Sequence, residues 1–177
     1  MLLSFGFQNF RSFADYAELT LTSPTFRTNV PRAGQSWADV TERVAAIYGP
    51  NAAGKTTVLE AILALSLALR SPGSGRIHQP SLSGDFRAEP VVFDVEFIAQ
   101  GVRHRYEVEA GPSGILREAL SAYPKGTARV LFTRTHGDEE SVEVKAGASL
   151  TGPTAEVRRV TKPGMLFLAT AHRYGHP

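Results

Sequence analysis

At 177 residues, 42% of them apolar and 20% charged, the chain has the composition of an ordinary soluble globular domain with room for one good core. A net charge of +2 makes the pI near 9.1 a matter of slight arginine excess, so a strongly basic surface is not expected. The absence of cysteine excludes disulfides, thiolate catalysis and cysteine-ligated metals, and the most apolar run, residues 58–69, is shorter than the about 20 residues a bilayer-spanning helix takes.

The opening MLLSFGFQNF has no basic n-region ahead of a long apolar stretch, so no secretory signal is evident and the cytosol is the expected compartment, with no membrane partner. Residues 2–7 read as a strand, and Phe10 and Phe13 extend its apolar pattern past a polar break at Gln8 and Asn9. Residues 18–22 (ELTLT) alternate polar and apolar as a half-buried strand does, and the two suggest an antiparallel pair joined through 11–16. Residues 23–39, with Pro24, Pro31, Gly34 and the sole tryptophan Trp37, read as a long loop. Residues 44–48 (VAAIY) are a short apolar run of strand type, and 57–69 have the composition of a buried helix.

Between these two elements stands GPNAAGKT, residues 49–56, a complete match to the phosphate-binding pattern G-x-x-x-x-G-K-[ST] in the strand–loop–helix order it requires. Gly49 and Gly54 give the backbone freedom that a Cβ would restrict. Successive main-chain N–H groups from Pro50, Asn51, Ala52 and Ala53 onward (proline itself having none) can then turn inward on a β-phosphate at the positive end of the helix. Lys55 is the residue to reach the β- and γ-phosphate oxygens and is the one catalytic candidate. The Thr56 hydroxyl is placed to complete the shell of a Mg²⁺ ion, and Thr57 offers a second hydroxyl near the α-phosphate. Asn51 can sit behind the phosphates or simply cap the turn. ATP and Mg²⁺ are the expected cofactors.

Beyond the helix, SPGSG (71–75) is a stop signal, and 76–89 is polar with Gly, Pro and Ser spread through it. The period then changes to two. Residues 91–98 (VVFDVEFI), 104–110 (HRYEVEA), 115–122, 129–134 and 141–144 read as successive strands, separated by GPSG, YPKG and HGDEE turns. This is an antiparallel meander and not a second set of βαβ units. Residues 156–161 and 165–170 are a last strand or the start of a helix. No stretch of four apolar residues ends in Asp as a Walker B strand does: Asp94 and Glu96 interrupt an alternating strand, and Asp138–Glu140 lies in a turn.

The combination of a first strand ending in QNFRSF (8–13), a second strand, IYGPNAAGKTTVLEAI and then a β-meander resembles the N-terminal half of ABC-type ATPase heads of the AAA family. The resemblance is to the RecF/SMC-like group that includes OLD-type and related bacterial defence ATPases. It covers nearly the whole chain, with the NFRSF and GPNAAGKT segments as its specific parts. It implies an α/β P-loop NTPase fold: a mixed sheet around the P-loop helix (1–70), an antiparallel β-lobe (90–145), and an absent C-terminal half carrying signature, Walker B, D-loop and switch histidine. It also implies ATP sandwiched in a head-to-head homodimer, action in DNA repair or anti-phage defence, and DNA and an associated nuclease as partners. On the same resemblance Asn9, Arg11 and Ser12 lie beside the nucleotide, with the planar, permanently charged Arg11 suited to phosphate; the alternative is an arginine paired with a neighbouring carboxylate. The family's Q-loop glutamine has no match in 166–177, where Thr170 or His172 stands in its place or the loop lies further on.

Other features carry less. His172 and His176 have i,i+4 spacing, but Gly175 argues against a helix there; His78, His104 and His136 are isolated. Asp94 and Glu96 make a solvated strand face, and Arg103, Arg105, Arg158 and Arg159 read as surface before they read as a phosphate-backbone contact. Three functions are compatible with this sequence: the ATP-binding half of such a head, a nucleotide-binding module that never hydrolyses, and, last, a small-molecule P-loop kinase, which the meander opposes.

Overall fold

The computed structural model describes residues 1–73, 77–136 and 141–176, the side chain of Asp85 excepted. Seven strands form one sheet: β1 (Leu2–Gln8), β2 (Ala17–Thr20), β3 (Val91–Ala99), β4 (Val102–Gly111), β5 (Gly114–Tyr123), β6 (Arg129–His136) and β7 (Val142–Ala146). Among the described residues three α-helices accompany it: α1 (Lys55–Arg70), α2 (Thr154–Val160) and α3 (Phe167–Arg173). The strand order is β2-β1-β3-β4-β5-β6-β7, and every neighbouring pair is antiparallel.

The expected hairpin of β1 and β2 is present, with Phe5 opposite Leu19 and Phe7 opposite Ala17. The meander is present too, and the sheet is continuous because β1 adds directly to β3, Phe7 facing Phe93. That pairing corrects the mixed sheet expected from the sequence. With β2 on one side of β1 and β3 on the other, neither neighbour is parallel, and residues 44–48 join no strand of the sheet. Val44 and Tyr48 are instead 84% and 89% exposed. Local composition marked 44–48 as a strand, but a strand exists only where a neighbour accepts its ladder. The C-terminal ambiguity resolves as helix in both places, 154–160 and 167–173. The turn expected over 136–140, with Asp138–Glu140, lies outside the described residues beyond His136, as do Ser74 and Gly75 of the helix stop.

One sheet face is apolar. Phe5, Phe7, Phe10, Phe93, Tyr106, Val108 and Phe132 are buried against Ala61, Leu65 and Ala68 of α1 and Phe167 of α3. Phe132 and Phe167 meet edge to face with centroids 4.9 Å apart. The opposite face is a ladder of ion pairs: Arg103 to Glu96 at 2.5 Å, Arg105 to Asp94 through two hydrogen bonds, and Arg117 bridging Glu107 and Glu109. The Asp94 carboxylate raises the pKa of the Arg105 guanidinium further. The arginines are thus matched by carboxylates across the strands, which leaves this face little net charge with which to draw a phosphate backbone. Among the described residues no helix is long and apolar enough to cross a membrane.

Asn9, which follows β1, organises the segment after α1. It is buried at positive φ, and its Nδ2 donates to the carbonyls of Phe86 and Glu89 while its Oδ1 accepts from Ser81 N–H. Nδ2 also reaches Pro90 O at 3.3 Å, and an amide that meets four main-chain groups leaves them without it when removed. Asn9→Ala is expected to cost about 3 kcal/mol in denaturant unfolding; a loss under about 1 kcal/mol would show that water replaces the amide freely.

Candidate phosphate-binding site

The site is built where α1 begins. Gly54 caps the helix in the left-handed region (φ 86°), and Ala52 lies at φ 64°, a conformation that a side chain resists. A Cβ at Gly54 would stand 2.6 Å from the Phe13 ring, so only glycine lets the loop close against the end of the QNFRSF segment. Val58 N–H donates to Gly54 O, as an intrahelical bond at the helix start. The N–H groups of Lys55, Thr56 and Thr57, in the first turn, are the ones a helix start cannot pair within itself. This is an N-terminus of a 16-residue helix, framed by a backbone that only a strained loop gives.

Lys55 folds back over the loop, Nζ donating to the carbonyls of Gly49 at 2.9 Å and Pro50 at 2.6 Å. Its ammonium therefore sits over the loop mouth, where an anion can take the place of those carbonyls. Thr56 is exposed, its hydroxyl open to a ligand, as are Pro50, Asn51, Ala52 and Ala53; Gly49 opens the same exposed stretch. Thr57 is buried and its Oγ1 lies 2.8 Å from Ser12 Oγ, so that hydroxyl ties the helix to the segment after β1. The residues present fit a Mg-nucleotide: a lysine, open N–H groups at a helix start, a free threonine hydroxyl, and a glycine cradle that a Cβ would fill.

The residues carried over from the resemblance divide. Ser12 touches the helix start. Arg11, also at positive φ, pairs with Glu60 one turn along α1 at 2.6 Å and donates from Nε to Gln79 Oε1 at 2.9 Å, which is the carboxylate-paired alternative. Asn9 is committed to residues 81–90 as described above. His176 Nε2 lies 3.1 Å from Thr154 Oγ1, and His172 is in the last turn of α3.

A buried polar cluster that the sequence motifs do not single out joins β4, β5 and β6 to the start of α3. Glu118 of β5 and Arg134 of β6 are each 0% exposed, and Tyr106 is 2%. Glu118 accepts from Tyr106 Oη at 2.8 Å, Phe167 N–H at 2.6 Å and Leu168 N–H at 2.9 Å. Arg134 donates to the carbonyls of Ile115 and Pro163. Burial raises the Glu118 pKa and pushes that of Tyr106 well up, while it lowers that of Arg134. The cluster clamps the start of α3 to the sheet. A signal was available: Glu118 shares its strand phase with Leu120, and Arg134 shares its with Phe132, so each charge stands on an apolar face.

The apolar stripe of α1 is only half used. Ala61, Leu65 and Ala68 are buried, whereas Leu59, Leu63 and Leu67 are 61%, 57% and 50% exposed at i, i+4, i+8 spacing.

The family model described as "AAA domain, putative AbiEii toxin, Type IV TA system" matches residues 44–153, the stretch from the run before the phosphate loop to beyond β7. No curated protein matches the chain.

Proposed function

The chain belongs to that family of AAA domains, so it carries a P-loop ATPase-like domain, and on that premise we propose that it is the ATP-binding, N-terminal part of an ABC-type ATPase head of the RecF/SMC/OLD kind. One observation carries the reading: GPNAAGKT forms a strained loop at the start of a long helix, with Lys55 over its mouth and Thr56 open beside it. Lys55 and the N–H groups from Gly54 to Thr57 would hold the phosphates, and the Thr56 hydroxyl would ligate Mg²⁺. The metal would supply charge neutralisation on the phosphate oxygens.

The working partner in this reading is a C-terminal half, with a head-to-head homodimer formed on ATP, in the cytosol. What supports it is the apolar material left outside the core: the stripe Leu59, Leu63, Leu67 and the unladdered residues 44–48. Both are apolar stretches left exposed to solvent. DNA repair or anti-phage defence, with DNA and a nuclease as partners, completes the proposal; the toxin named in the family description supports the defence branch. A second reading, nucleotide binding without hydrolysis by this chain, draws on the lack of an apolar run ending in Asp.

Calorimetry with Mg-ATP and a phosphate-release assay test both. Binding without turnover is the expected result. Turnover by the chain alone would sink the half-head reading, and a chain that binds no Mg-ATP would sink nucleotide binding itself.

A further inference from the structure

A cleft of about 640 Å³ opens beside the phosphate loop, lined by Arg11, Ser12, Gln79, Pro80, Leu82 and Arg87. Its volume is in the range of small-ligand sites, and it shares Ser12 with the helix start, where Ser12 Oγ and Thr57 Oγ1 are 2.8 Å apart. Hydrogen bonds and an ion pair tie the walls together. Arg11 N–H donates to Gln79 O at 2.9 Å, and its guanidinium holds Gln79 Oε1 and Glu60. Asn9 pins Ser81, Phe86 and Glu89 from behind. Against this hydrogen-bonded frame two side chains stand out. Leu82 is 74% exposed, and Arg87 is exposed and makes no ion pair with any described residue. Arg11 is charge-compensated by Glu60, so Arg87 is the open cation of the cleft.

We propose that this cleft receives the nucleoside end of the triphosphate, with the base lying on Leu82 and the Arg87 guanidinium. The proposal rests on the nucleotide reading above and adds to it the residues that distinguish a nucleotide from a bare polyphosphate. An apolar side chain and a planar, weakly hydrated cation form a surface suited to a flat aromatic ring. Phosphate recognition stays with the loop, one hydrogen bond away, so the two ends of the ligand are read by separate parts of the chain.

The test measures binding of Mg-ATP and of inorganic tripolyphosphate with Mg²⁺ to the wild-type chain and to a double variant, Leu82→Ser with Arg87→Ala. Both side chains are exposed, so the fold is retained, which a circular-dichroism melt confirms. The expected result is Mg-ATP affinity reduced about tenfold with tripolyphosphate affinity unchanged. Equal losses for both ligands would overturn the proposal and make Arg87 a phosphate contact. Unchanged Mg-ATP affinity would also overturn it, placing the base elsewhere, as would a wild type that binds Mg-ATP no tighter than tripolyphosphate. A wild type that binds neither ligand fails at the earlier step and overturns the nucleotide reading along with this one.

Discussion

Lys55→Ala is expected to weaken Mg-ATP binding about 100-fold while leaving the melting temperature nearly unchanged. The affinity follows from the geometry of the loop mouth. The Lys55 ammonium already makes two hydrogen bonds there, to Gly49 O and Pro50 O, and each carbonyl it exchanges for a phosphate oxygen replaces a neutral acceptor with a negatively charged one. Charge-assisted bonds contribute about 1.5–3 kcal/mol each, so losing one or two of them corresponds to about two decades in Kd. Stability is spared because the ammonium is near solvent and the carbonyls it leaves behind are hydrated in its absence. Calorimetric titration of the variant, beside a thermal melt, checks both halves. Retained affinity would show that the ligand does not use the loop; a collapsed melt would show that Lys55 is structural.

Glu118→Ala is expected to be the most damaging single substitution for stability, at about 3–5 kcal/mol, because it removes the acceptor of three buried donors and the negative charge that faces the buried Arg134. Arg134 stays in a core with no carboxylate beside it. The Phe167 and Leu168 N–H groups and the Tyr106 hydroxyl lose their acceptor together. The start of α3 then has nothing to hold it to β5, and Phe167 no longer docks firmly on Phe132. Urea unfolding measures the loss, and amide exchange at Phe167 and Leu168 localises it. A cost below about 1 kcal/mol would mean that the cluster is neutral to stability.

The same residue sets a pH dependence. Burial raises its native pKa above the ordinary glutamate value of 4.5, so in the fold the ionised form is the costlier one. Its contribution to stability is therefore full below 4.5 and is lost as the pH climbs through the raised native value. Glu118→Gln, which keeps an acceptor and cannot ionise, removes that slope from unfolding curves taken between about pH 4 and about pH 8.

What the sequence determined by itself is what local chemistry dictates. GPNAAGKT specifies a glycine-framed loop leading into a helix, because both depend on backbone angles and on the residues within one turn; the sequence places that helix at 57–69, and the structure starts it at Lys55. The strands of the meander were legible because period-two alternation needs only one wet face and one dry one. The tertiary structure decided everything that depends on a neighbour. Residues 44–48 are as apolar as a buried strand, yet β1 is flanked by β2 and β3, and the run joins no ladder. Asn9 is expected beside the nucleotide on resemblance alone; that four main-chain groups from 81–90 also converge on it is something no spacing in the sequence announces. Glu118 and Arg134 sit 16 residues apart in the chain and face each other only because β5 and β6 pair in one register. A motif is visible in sequence when its parts are contiguous; a cleft or two facing buried charges exist only once the fold has brought distant residues together.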